Sequence, residues 1–123
     1  MGIYHRDLKL QNIVYLSEER RAKVIDFGMA TCFPNPEGVV GSPMFMSPQV
    51  LGNQKYTHKC DTWSLGIIFY CMIFRGSPYE DHTTPKAILD KMKSFRDHGV
   101  PYPLESFISG PCREVINACL QYE

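Results

Sequence analysis

The sequence has no excess of either charge: thirteen Lys and Arg residues are matched by thirteen Asp and Glu. That balance excludes the basic footprint that nucleic acid or an anionic membrane face would need. Paired cysteines are also lacking. Cys32, Cys60, Cys71, Cys112 and Cys119 are odd in number, and no two stand in a CxxC spacing. His5, His58, His82 and His98 do not fall at ligand spacing beside them, so no zinc cluster is expected. No charged stretch followed by an apolar run opens the chain, so no secretory leader is expected. Together these absences predict a reduced, intracellular, cytoplasmic setting. The longest apolar run, Asp61–Phe74, is fourteen residues. A bilayer needs about 20, so no membrane span is expected. Internal repeats and low-complexity tracts are absent.

What is present suffices for one packed domain: 123 residues, 44% of them hydrophobic. "NIVYL" (Asn12–Leu16) and "AKVID" (Ala22–Asp26) are short β-branched runs around the charged turn "SEERR", which predicts a hairpin. From Phe27 to Met46, glycine and proline break every period, so a long functional loop is expected. Ser47 is placed to cap one helical turn, with Pro48 at its first position and Gly52 at its end. "DTWSLGIIFYCMIF" is apolar nearly all round, which predicts a buried central helix capped by Asp61. A further helix is expected between Thr84 and Gly99, with Ile88, Leu89, Met92 and Phe95 on its inner face. A last helix from about Pro111 would turn Val115, Ile116, Cys119 and Leu120 inward. Trp63, Cys71 and Cys119 read as packing residues.

The chemistry-bearing residues crowd near the start. "HRDLKLQN" sets His5, Arg6, Asp7, Lys9 and Asn12 in one tight stretch. Asp26 follows at the end of the second run, before the turn-permitting Phe27-Gly28. Phosphoryl transfer needs hard oxygen ligands for Mg²⁺, a group to orient the attacking hydroxyl and a cation near the moving charge. A hairpin would bring Asn12 and Asp26 side by side, an amide oxygen beside a carboxylate.

In these motifs the chain resembles the eukaryotic protein kinase family of Ser/Thr type. "HRDLKLQN" is similar to the catalytic loop and "DFG" to the metal-binding turn. "GSPMFMSPQ" is similar to the end of the activation segment, and "DTWSLG" to the start of the central helix. The four occur in family order, and "GSPM" is closest to the autophagy-initiating, unc-51-like branch. The resemblance implies a protein kinase-like α+β fold, here the C-terminal lobe only: mainly α-helical, with a small β-hairpin carrying the catalytic and DFG loops. It implies that Asp7 orients or accepts the proton of a substrate hydroxyl and that Lys9 neutralises the transferred phosphoryl group. Asn12 and Asp26 would hold Mg²⁺, and Val14, flanked by Ile13 and Tyr15, would floor the adenine of ATP. His5 and Phe27 would stack, with Arg6 and Gly28 supporting the two loops. Asp61 would accept backbone N–H bonds from the catalytic loop, and Ser42 would face the protein substrate.

Two departures matter. The family's "APE" reads "SPQ", so Gln49 stands where a glutamate usually pairs with a distal arginine. The position that commonly carries a regulatory Ser or Thr is Gly38, preceded by Glu37. Glu37 is therefore expected to approach Arg6 in place of a phosphate, making activity independent of phosphorylation there. Neither a glycine-rich phosphate loop nor an ATP-anchoring lysine is found. Residues 1–123 are thus expected to be a partial kinase domain, without its N-terminal lobe and final helices, and inactive alone. The rival reading is a truncated, pseudokinase-like scaffold or binding module.

Overall fold

A computed structural model describes residues 2–33, 36–79, 82–103 and 108–122. One 3-10 turn, Leu10–Asn12, leads into strand β1, Ile13–Leu16, which pairs antiparallel with β2, Arg21–Val24. The register sets Ile13 opposite Val24 and Leu16 opposite Arg21. This is the predicted hairpin, trimmed at both outer ends: Asn12 belongs to the turn, and Asp26 lies past the strand. Every residue of β2 is exposed. Ile13, packed against the core, is what fastens the ribbon to the helices.

The segment from Phe27 to Met46 is a loop throughout its described part, with Pro34 and Asn35 outside the described residues. One antiparallel bridge, between Tyr4 and Thr31, ties its start to the stretch that leads into Asp7. The loop ends at helix α1, Pro48–Leu51, where the Ser47 hydroxyl accepts a bond from the Val50 N–H at 3.4 Å.

Helix α2, Lys59–Phe74, is the core element. Its residues Trp63, Ile67 and Ile68 are almost wholly buried. Burying such side chains contributes about 1.5–3 kcal/mol each. Trp63 Nε1 donates to the Tyr79 hydroxyl at 3.3 Å, and both rings stack on Phe95 of α3, Pro85–His98. Helix α3 begins and ends where its sequence signals lie. The Thr84 hydroxyl accepts from the Ala87 N–H, and Gly99 supplies the positive φ (76°) just beyond the last residue. Helix α4, Gly110–Cys119, is capped by Ser109 and lies against α2. Gly66 makes that approach possible, because a Cβ there would stand 2.7 Å from both the Cys119 Cβ and a Leu120 methyl.

Three expectations are corrected. Asp61 is not the cap of α2: the helix begins two residues earlier, at Lys59, with His58 in the capping position. The Asp61 carboxylate is free of capping duty because two distant amides claim it. The central helix is not buried all round, since Phe69, Met72 and Ile73 are exposed along one flank. Val115 of α4 is 53% exposed beside that flank, while Ile116 and Leu120 turn inward. No helix among the described residues is long and apolar enough to cross a membrane.

Candidate active site

The site is assembled from the two ends of the hairpin and the loop beyond it. Asp61, in the first turn of α2, accepts the His5 N–H at 2.7 Å and the Arg6 N–H at 2.9 Å. These charge-assisted bonds hold Arg6 at φ 68°, a left-handed conformation that costs a non-glycine residue about 1–2 kcal/mol. The turn so formed presents the Asp7 side chain. His5 is buried beneath it, with Nε2 3.1 Å from the Ile25 carbonyl oxygen and Nδ1 3.3 Å from the Asp7 N–H. The pair fits the tautomer in which Nε2 donates and Nδ1 accepts. The Phe27 ring meets the His5 ring edge-on, with centroids 5.0 Å apart.

Asp7 is the hub. Its Oδ1 accepts from the Ser42 hydroxyl at 2.9 Å. Its Oδ2 accepts from Lys9 Nζ at 2.8 Å and from the Asn12 amide at 3.3 Å. Lys9 also donates to Ser42 Oγ at 3.1 Å, closing a triangle of Asp7, Lys9 and Ser42. Burial pushes the Asp7 carboxyl upward, but bonds from Lys9, Ser42 and Asn12 outweigh it, and the group stays below its usual value near 3.8. A carboxylate has about four lone-pair positions, and three are filled here, so one remains for a further hydroxyl.

Asn12 is buried, its amide nitrogen also donating to the Asp7 carbonyl at 2.9 Å. Its amide oxygen is therefore the atom turned to anything beyond the loop. The Ile25 N–H donates to the Asn12 carbonyl at 2.9 Å, which places the next residue, Asp26, beside it. Asp26 is exposed and left-handed at φ 62°, and its Oδ1 accepts the Gly28 N–H at 3.2 Å. The Asn12 amide oxygen and the Asp26 carboxylate are two hard oxygen donors, fewer than an all-protein cage would need. That suits Mg²⁺, which keeps waters and substrate phosphates among its ligands. Val14 is 38% exposed on β1, next to Ile13 in the core and the exposed Tyr15.

Glu37 does not approach Arg6. Its carboxylate pairs with Lys55 at 3.6 Å on the open surface, and Arg6 Nε donates instead to the Met29 carbonyl at 2.6 Å. Two contributors escape a reading of the sequence. Met29 gives only a backbone oxygen, for which no side-chain signal exists. Gly41, at φ 109°, passes so close that a Cβ would collide with the Arg6 carbonyl oxygen. A glycine directly before Ser42-Pro43 carries that signal.

The protein kinase domain family matches residues 1–123, the whole chain. The chain belongs to the protein kinase family. Among its relatives, the kinase "Serine/threonine-protein kinase SAPK4" of Oryza sativa is 34% identical over 121 residues, covering 94% of this chain and 34% of that protein. "G2-specific protein kinase nim-1" of Neurospora crassa is 37% identical, covering 98% of this chain and 14% of its own. "Serine/threonine-protein kinase atg1" of Dictyostelium discoideum is 35% identical, covering 98% and 18%. This kinase-family chain thus spans about a third or less of the length of these relatives. The 35% identity to atg1 falls between the 34% and 37% of the other two, so it does not separate one branch of Ser/Thr kinases from another.

Proposed function

We propose that these residues are the catalytic-loop half of an ATP- and Mg²⁺-dependent kinase that phosphorylates protein Ser or Thr hydroxyls. The observation that supports it most is the convergence of Lys9, Ser42 and Asn12 on the Asp7 carboxylate, with one acceptor position left over. In this reading Asp7 takes up the substrate hydroxyl at that position and aims its oxygen at phosphorus. As the new O–P bond forms, the hydroxyl proton moves toward Asp7. The bond from the γ-phosphorus to the bridging oxygen breaks, and ADP leaves with its electron pair. Lys9 is held 2.8 Å from Asp7, and from there it would meet the negative charge of the group in transit. Asn12 and Asp26 would hold Mg²⁺, which when bound neutralises phosphate charge. Val14 offers an apolar surface to the adenine, and Ser42 orders the loop on which the substrate peptide would lie. His5, Arg6, Phe27, Gly28 and Asp61 keep the two loops in register.

The activity proposed is that of a longer protein containing this sequence, in the C-terminal lobe of its kinase domain. A glycine-rich loop and an anchoring lysine are not among the motifs here, and positioning is most of the catalysis in this chemistry. The 123-residue chain alone is expected to turn over poorly. A cytoplasmic setting fits five cysteines that are all free thiols.

The test is transfer of label from γ-labelled ATP to a mixed Ser/Thr peptide library by the full-length protein. Asp7→Asn should lower kcat by about 10²- to 10⁴-fold, the range for loss of a general base. Asp26→Asn should abolish the Mg²⁺ dependence along with most of the rate. Label transfer that survives both substitutions would overturn the proposal.

A further inference from the structure

One of the groups bonded to Asp7 is a hydroxyl of the chain itself. Ser42 Oγ donates to Asp7 Oδ1 at 2.9 Å and accepts from Lys9 Nζ at 3.1 Å. A serine hydroxyl has one donor proton and two acceptor lone pairs. Its proton goes to Asp7 and one lone pair to Lys9, so among the bonds of the described residues one lone pair of Oγ remains. A carboxylate to take the proton and a cation beside the group in transit are the two contacts that the proposed mechanism gives to a substrate hydroxyl. Other hydroxyls are held differently. Those of Ser47, Thr84 and Ser109 cap helices, and that of Thr31 accepts from the Phe33 N–H. Ser64 is buried, with its hydroxyl on the Phe45 and Cys60 carbonyls. Ser42 is only half-buried, and the exposed Pro43 and Met44 follow it, so it is not sealed in the core. The close passage of Gly41 against the Arg6 carbonyl oxygen sets this loop against the turn that presents Asp7.

We infer that Ser42 is a self-phosphorylation site, modified by the γ-phosphoryl group of ATP at the molecule's own Asp7 centre, and that the modification shuts this centre off. The inference rests on the reading of Asp7 as the base of a kinase. Ser42 Oγ attacks the γ-phosphorus with its remaining lone pair. The Oγ–P bond forms, the bond from phosphorus to the bridging oxygen breaks, and ADP leaves with that electron pair. The hydroxyl proton passes to Asp7, and nothing is oxidised or reduced. The product sets about two negative charges beside the Asp7 carboxylate at neutral pH. Like charges repel, and Lys9, which now bridges Asp7 and Ser42, is claimed by the phosphate. Asp7 is then crowded and its cation withdrawn, so the hydroxyl of a protein substrate no longer finds its place. The reaction is therefore self-limiting: each molecule that carries it out retires its own site.

The test uses the full-length protein, stripped of phosphate by a phosphatase that is then removed. It is incubated with Mg²⁺ and ATP, and the segment containing Ser42 is read by fragmentation mass spectrometry. Phosphate should appear on Ser42, and the fraction modified at a given time should not change over an about tenfold dilution, as an intramolecular step requires. Asp7→Asn protein mixed with the wild type should stay free of phosphate at Ser42. The modified wild type should phosphorylate the Ser/Thr peptide library about tenfold more slowly or worse, from the charge added beside Asp7, and phosphatase should restore the rate. A bare Ser42 in protein that does phosphorylate the library would overturn this inference and leave the reading of Asp7 intact. Failure of both reactions would sink the two together. Modification of the Asp7→Asn protein as fast as of the wild type would also overturn it, as would an unaltered library rate once Ser42 is modified.

Discussion

At the scale of single residues, Asp7 carries the clearest consequence. Its carboxyl is held below the usual value near 3.8 because burial is outweighed by Lys9, Ser42 and Asn12. A group lowered on folding stabilises the fold above its unfolded pKa, and that contribution is lost as pH falls through the lower, folded value. Asp7→Asn should therefore cost stability at pH 7 and cost less below pH 4, read from urea unfolding of both proteins at the two pH values. A cost that stays constant across that range would show that ionisation of the carboxyl adds nothing to folding. Tyr56 poses the opposite case. It is 4% exposed, and its hydroxyl is the one buried side-chain polar atom without a partner among the described residues. An orphaned hydroxyl of this kind costs about 1–3 kcal/mol in desolvation. Tyr56→Phe should leave the melting temperature unchanged or raise it, and a clear fall would reveal a partner for that hydroxyl.

At the scale of elements, the contact between α2 and α4 depends on Gly66. Any side chain there would press on Cys119 and Leu120, which belong to the end of α4 and the residue that follows it. Overpacking of this kind costs about 1–3 kcal/mol. Gly66→Ala should lower the unfolding free energy by that amount, read as a lower urea midpoint with an unchanged m-value. Gly110, at the first position of α4, has open space where a methyl would stand and no positive φ. Gly110→Ala should instead raise stability by about 0.4–1 kcal/mol through the unfolded chain. The elements themselves are largely legible in the sequence. Ser47, Thr84, Pro48, Pro85, Gly52 and Gly99 are local signals that act within one turn, and the helices begin and end on them. The inner face of α4 is not legible at Val115, because a ten-residue helix offers too few turns to fix which apolar residue faces inward.

At the scale of the whole molecule, what the sequence hides is long-range. Asp61 stands where a cap would by local pattern, and its service to amides 55 and 56 positions earlier is foreseen from the family resemblance alone. Glu37 stands close to the loop in sequence, yet the chain's path delivers it to Lys55 and delivers Arg6 to the Met29 carbonyl. The hub is legible in part. Asp7, Lys9 and Asn12 lie within one short stretch, whereas the Ser42 hydroxyl arrives from 35 residues away. Side chains that meet through local turns leave a pattern in the sequence; those that meet through tertiary packing do not.

The two bonds from Asp61 to the His5 and Arg6 amides also fix how the molecule comes apart. The loop that presents Asp7 is anchored to the first turn of its most deeply buried helix, so the loop cannot open without breaking those bonds. In hydrogen–deuterium exchange, the His5 and Arg6 amides should exchange as slowly as those in the middle of α2, within about tenfold. Their exchange should be far slower than that of the surface hairpin next to them in sequence. Asp61→Ala should release both amides together while Ile67 and Ile68 stay protected. In that variant, loop shape would be lost well before the fold: a denaturant would extinguish it at concentrations that leave the far-ultraviolet signal of the helices intact.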